Sequence, residues 1–169
     1  MSREKNSEES IKRSEPAGID QSGQPTLLYT PLTKKALRIA ARAHKDQTDK
    51  TGLPYILHPV IVATGVEGEY ETCAALLHDV VEDTDVTLDD LREEGMPEEV
   101  LGALSLLTHL DGVPYMDYVA AIKQNHVARA VKLADLSHNM QLERLDEVTE
   151  EDLERLEKYK AARALLLAD

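Results

Sequence analysis

The sequence predicts an all-α domain, a helical bundle. Apolar residues recur at three- and four-residue spacing in segment after segment beyond residue 30, as on the buried stripe of a helix. No segment of strand length alternates polar and apolar residues, and no internal repeat is present. Gly, Pro and Asp-Gly interruptions divide the periodic stretches into pieces of helix length.

Residues 1–30 are rich in Ser, Glu, Lys, Gly, Gln and Pro with few apolar positions before Leu27, which predicts a flexible tail and a folded domain over 31–169. Leu32, Ala36, Ile39, Ala40 and Ala43 predict a first helix ending near Gln47, followed by a polar loop from Thr48 to Pro54. A second helix is expected after His58-Pro59, because Pro is accommodated in a first turn, and Gly65 and Gly68 end it. The central helix is predicted as one run from Tyr70 to Glu82. Thr87 caps a short helix, Pro97 starts the next, which reaches about His109, and Asp111-Gly112 marks a turn. Met116 to Lys123 and Val127 to Leu142 read as two more helices. The acidic run Thr149-Glu150-Glu151-Asp152 opens the last, its charge matched to the helix dipole.

With 42% hydrophobic residues the 169-residue chain supports one core, and without Trp or Phe that core is aliphatic, with six Tyr as the only large aromatics. The single Cys73 reads as a small core residue, and the absence of an intrachain disulfide fits a reducing cytoplasm. No apolar run is long enough to span a bilayer, and the first residues do not resemble a signal peptide. A net charge of −13 argues against a nucleic-acid polymer as partner. An anionic nucleotide needs a bound dication and a local group of Arg42, Lys45, Lys50 and Lys132 to offset that field.

The chemistry is concentrated at His78-Asp79, an imidazole and a carboxylate inside the apolar run Ala74 to Val81. An ionised Asp in such a setting requires a partner, because an unpaired buried charge is strongly disfavoured. His58, before Pro59, and Asp135, after the apolar stretch Ala130–Ala134, complete a set of two imidazoles and two carboxylates. That set suits a divalent transition metal and leaves coordination positions for water and a phosphate oxygen. Each residue also has a plain structural reading: His58 as a helix end, Asp135 as a surface carboxylate. Glu82 and Asp83 follow His78 and Asp79 by four residues, which puts them on the same helix face as candidate acid/base groups. The rest of the acidic stretch from Glu82 to Glu99 reads as a solvated face. Asn139 stands four residues after Asp135, and His138, three after it, reads as its supporting partner. His109 and His126 belong to no constellation and read as structural.

The ordered set His44-x-x-Gln47, Lys50-Thr51-Gly52, Pro54 to Pro59, Leu76 to Thr84, Lys132 to Asp135 and His138-Asn139-Met140 closely resembles the HD hydrolase domain of RelA/SpoT-type alarmone enzymes, over about Leu32 to Met140. Members of that family remove the 3′-pyrophosphate from (p)ppGpp. The resemblance implies a manganese ion on His58, His78, Asp79 and Asp135, a catalytic pair in Glu82 and Asp83, and a nucleotide pocket lined by Lys50, Thr51 and Asn139. The chain departs from the family pattern at Asp49, where Arg is usual before the Lys, at Leu136, where Arg is usual after the Asp, and at Gln141-Leu142, where Arg-Thr is usual. Weaker nucleotide binding with preserved chemistry is the expectation. The chain's end at Asp169 further implies a form that only degrades the alarmone. Two rivals differ in kind: a phosphohydrolase of the same fold acting on another phosphorylated nucleotide or a cofactor such as NADPH, and a nucleotide sensor without catalysis, which would have no use for the acidic pair.

Overall fold

The structure, a computed structural model, describes residues 26–169, and no strand is present among them. The part of the expected tail at residues 1–25 lies outside the described residues. The helices are α1 (Pro31–Ala43), α2 (Leu57–Thr64), α3 (Glu69–Leu77), α4 (Val80–Asp83), α5 (Leu88–Glu93), α6 (Glu98–Leu107), α7 (Tyr115–Ile122), α8 (His126–Asn139) and α9 (Glu150–Leu167), with a 3-10 turn at Leu142–Arg144. The all-α architecture follows the periodicity of the sequence. Helix starts also fall where side chains satisfy free backbone N–H groups. Thr30, Thr87 and Thr149 each accept from the backbone three residues on, and the side chains of Thr33, Asp90 and Asp152 bond back to the cap.

α3 is the axis of the bundle. Thr72 to Leu77 are all buried, and the helix packs against α1, α2, α6 and α8. Ala74 and Ala75 have no accessible surface, and such small side chains let neighbouring backbones approach. Cys73 is fully buried beside them, and burial pushes its thiol up to about 12, as befits a core residue. α2 and α8 meet closely at Gly65, where a Cβ would stand 3.2 Å from Ala134 Cβ. That contact fixes the two helices that carry His58 and Asp135. No described helix is long and apolar enough to cross a membrane.

Two element boundaries differ in ways that matter for the site. α2 begins at Leu57, so His58 lies on the helix and Pro59 in its first turn. The expected single helix from Tyr70 to Glu82 is two helices, α3 and α4, interrupted at His78-Asp79. Asp79, at φ −97° and ψ −6°, unwinds the junction. Adjacent residues of a regular helix project about 100° apart and do not face one another. The interruption lets His78 and Asp79 converge on one point.

Residues 26–30 are held to the bundle. Leu27 packs against the core, and Leu28 carbonyl accepts from Thr33 Oγ1 at 2.6 Å. A chain beginning at Leu27 should therefore unfold as cooperatively as the full chain and at a similar temperature. A broad or strongly lowered thermal transition would place an essential docking segment before that residue.

Candidate metal centre

Four side chains from three places in the fold meet above the end of α3. His58 Nε2 from α2 lies 3.2 Å from His78 Nε2. Asp79 Oδ2 is 3.1 Å from His78 Nε2 and 3.5 Å from His58 Nε2. Asp135 Oδ1 from α8 is 3.2 Å from His58 Nε2 and 3.8 Å from His78 Nε2. Two donors each about 2.1 Å from one ion are separated by about 3.0–3.4 Å for bond angles of 90–109°. Most of these spacings are of that size; the ligand atoms of His58, His78 and Asp135 all lie within 4.8 Å of one another and fit one divalent cation, while Asp79 stands against both imidazoles but outside that group of three.

The surroundings set the orientation and charge of each donor. His78 Nδ1 donates to Ala75 carbonyl oxygen at 2.7 Å, which turns the Nε2 lone pair toward the cluster. His58 Nδ1 pairs with His138 Nδ1 at 2.7 Å. Burial, His58 and Arg144 press His138 down to about 4, so it is neutral and accepts the His58 proton, again freeing Nε2. His138 thus supports His58, not Asp135 as its spacing suggested. Tyr55 hydroxyl donates to Asp79 Oδ2 at 2.5 Å. Asp135 Oδ1 accepts from Asn139 Nδ2 at 2.6 Å, and Asp135 Oδ2 from Lys132 Nζ at 2.9 Å. Burial alone would raise both carboxyls. The imidazole of His78 brings Asp79 down to about 2, and the Lys132 ammonium holds Asp135 well below the usual carboxylate range. Both therefore stay ionised.

A cavity of about 560 Å³ opens over the cluster. Of the nine residues the sequence singled out, all but Asp83 line it, including Lys50, Thr51, Asn139 and Glu82. Glu82 is held there by the backbone N–H of His109, 3.0 Å from Oε2. The backbone of Asp83 is tied down by Gln47, whose Nε2 donates to its carbonyl at 2.9 Å, while Gln47 Oε1 meets His44 Nδ1 at 2.7 Å. Burial and the neighbouring Asp79 and Glu82 charges raise the Asp83 carboxyl. The His44-x-x-Gln47 pair, in the turn that follows α1, thus anchors the backbone of an acidic residue.

The positive wall differs from expectation. Arg42 pairs outward with Glu94 at 3.7 Å and Lys45 with Asp46 at 3.7 Å, and neither lines the cavity. Lys132 does line it, but is engaged by Asp135. Arg144 and Arg155 supply cations that the sequence reading missed, together with Tyr115, Tyr118 and Tyr159. His109, read as structural, also lines the cavity and stacks on Tyr118 with centroids 4.5 Å apart. Leu136 is fully buried in the core and leaves the cavity wall unaffected. Asp49 is a loop clamp: its Oδ1 accepts from Thr51 N, Thr51 Oγ1 and Leu53 N at 2.8, 2.7 and 3.0 Å.

The sequence pattern of the HD domain matches residues 36–168. The chain belongs to the HD-domain family. Among relatives of this HD domain, the bifunctional (p)ppGpp synthase/hydrolase SpoT of Escherichia coli K12 is 36% identical over 122 residues, which cover 63% of this chain and 17% of that protein. A GTP pyrophosphokinase of Streptomyces coelicolor is 35% identical over 147 residues, covering 79% of this chain and 16% of its own length. The HD domain thus corresponds to a small part of those relatives. A solved structure of a metazoan SpoT ortholog, a protein described as hydrolysing ppGpp and acting in starvation responses, matches with a TM-score of 0.69 at 24% identity. The match covers 85% of this chain and 89% of that one, and it establishes the shared fold.

Proposed function

We propose that this HD domain is a manganese-dependent hydrolase that removes the 3′-pyrophosphate of (p)ppGpp-type alarmones, with His58, His78, Asp79 and Asp135 as the metal ligands. The observation that carries the reading is the meeting, in one cavity, of the His58, His78 and Asp135 cluster with Asp79 against its imidazoles, the carboxylate of Glu82 and a wall of cations. The substrate class is supported by the relatives, several of which are named guanosine-3′,5′-bis(diphosphate) 3′-pyrophosphohydrolase. Imidazole and carboxylate donors suit a divalent transition metal, and the choice of manganese rests on the resemblance to the RelA/SpoT-type hydrolases.

When bound, the ion supplies Lewis acidity to water and to a phosphate oxygen. The chain's residues do the rest. Glu82, fixed on the cavity wall by His109, takes the proton of the attacking water. Asp83, its carboxyl raised by burial and by the Asp79 and Glu82 charges, stands beside it as the second acid/base group. Tyr55, Asn139 and Lys132 hold Asp79 and Asp135 in place, so the ligands need little rearrangement. The tyrosines offer flat apolar faces to a base, and Lys50 offers positive charge to phosphate.

Lys50 is bound by Asp152 of α9, Nζ to Oδ1 2.8 Å, with half of its side chain exposed. The Asp152 side chain is nearly buried and also bonds the Thr149 cap, whereas the lysine end is solvated, so a phosphate group can compete for the ammonium. Lys50→Ala should raise KM more than it lowers kcat, because that contact is made alike in ground and transition states. Steady-state kinetics with KM unchanged would remove Lys50 from the substrate contacts.

The experiment is turnover with manganese over a panel of phosphorylated nucleotides that includes (p)ppGpp and NADPH. Pyrophosphate released from (p)ppGpp supports the proposal. Release of phosphate from NADPH alone would move the substrate to another class and leave the metal reading in place. Nucleotide binding without turnover would make the domain a sensor.

A further inference from the structure

Among the described residues, one cation of the cavity has no ion-pair partner. Four Lys and Arg side chains line it: Lys50, Lys132, Arg144 and Arg155. Lys50 is paired with Asp152 at 2.8 Å, Lys132 with Asp135 at 2.9 Å, and Arg155 with Glu151 at 2.6 Å. Arg144 makes no ion pair and no side-chain hydrogen bond among the described residues, and its Nε is buried without an acceptor. Buried polar groups are nearly always hydrogen-bonded in native proteins, so such an N–H calls for an acceptor that the described residues do not provide. The Asp49 carboxylate feels the Arg144 charge through space but makes no ion pair or hydrogen bond with it, and its Oδ1 is taken by three bonds within its own loop.

The position of Arg144 defines what the acceptor is. The residue closes the 3-10 turn Leu142–Arg144 that follows α8. It also lines a side chamber of about 50 Å³ with Lys50, Asn139, Asp152, Arg155 and Tyr159; the Asp152 carboxylate there is taken up by Lys50 and by the Thr149 cap, and none of His58, His78, Asp79 and Asp135 reaches the chamber. A guanidinium there presents a planar fork of donors, which matches the paired oxygens of a phosphate better than any neutral group. We infer that Arg144 binds the phosphate group of the substrate that is not hydrolysed. The inference rests on the reaction proposed above, in which that group is the 5′-diphosphate.

The test is equilibrium binding of guanosine 5′-diphosphate and of guanosine to the full chain after metal removal with a chelator. The wild type should prefer the diphosphate by roughly tenfold or more, the size of one charge-assisted hydrogen bond. Arg144→Gln should abolish the preference, and Arg144→Lys should retain part of it. In turnover of (p)ppGpp, Arg144→Gln should raise KM by roughly 10- to 100-fold with kcat little changed. The inference is overturned if the wild type shows no preference for the diphosphate, if Arg144→Gln keeps the wild-type preference, or if Arg144→Gln lowers kcat at unchanged KM. Should Arg144→Gln lose its cooperative thermal unfolding, Arg144→Lys carries the comparison, and an unreduced preference there overturns the inference. Failure of the wild type to hydrolyse (p)ppGpp would overturn the reaction and not the anion site, because diphosphate binding is read without turnover.

Discussion

Asp79→Ala should lose both its metal and its turnover. Asp79 Oδ2 lies within 3.5 Å of both imidazole Nε2 atoms. Tyr55 holds that oxygen from the far side. No other carboxylate bridges the two imidazoles from the α3–α4 junction, so the variant leaves a site of three donors facing open cavity. Loss of a hydrogen-bonding partner outside the ligands costs about 10–100-fold in metal affinity, and loss of a ligand itself should cost more. Elemental analysis of the purified variant checks this directly. Full occupancy with wild-type turnover would reject Asp79 as a ligand. A normal thermal transition with no metal would show that the loss is local.

Glu82→Gln should keep the metal and most of the substrate affinity while kcat falls by about 10²–10⁴-fold, the usual worth of a positioned acid/base group. The amide preserves the acceptor for His109 N–H and removes the basic carboxylate. Asp83→Asn should have the smaller effect, because Glu82 lines the cavity and Asp83 does not. Equal kcat in the wild type and in Glu82→Gln would return both residues to the solvated acidic face. A larger loss in Asp83→Asn than in Glu82→Gln would reverse the roles given to the pair.

The contrast between these two carboxylates shows what the sequence carried. Spacing of four placed Glu82 with His78 and Asp83 with Asp79, and that spacing has no means of telling which one turns inward. The helices were legible because burial leaves a periodic trace, as at Thr33, Ala36, Ile39 and Ala40 of α1, and threonine caps mark three starts. The interruption at His78-Asp79 leaves no such trace, since both residues keep right-handed backbone angles and the apolar run continues through them. The candidate donors were legible as residue types that an apolar run does not otherwise tolerate.

The cationic wall was not legible. Arg144 and Arg155 sit in a strongly acidic C-terminal region, where a basic residue reads as a surface ion-pair partner, and Arg155 does make such a pair. Arg42 and Lys45 lie near Lys50 in sequence, yet each pairs outside the cavity. His109 joined the site only through tertiary packing on Tyr118 and the Glu82 contact, which no local pattern encodes.

The measurement that bears most directly on the central claim is product identification after incubation of the full chain with ppGpp, with and without manganese. The account predicts pyrophosphate and guanosine 5′-diphosphate in equal amounts, formed only when the metal is present and abolished in Asp79→Ala. Equal turnover in chelator, or cleavage at the 5′ side with the 3′-pyrophosphate left intact, would contradict it.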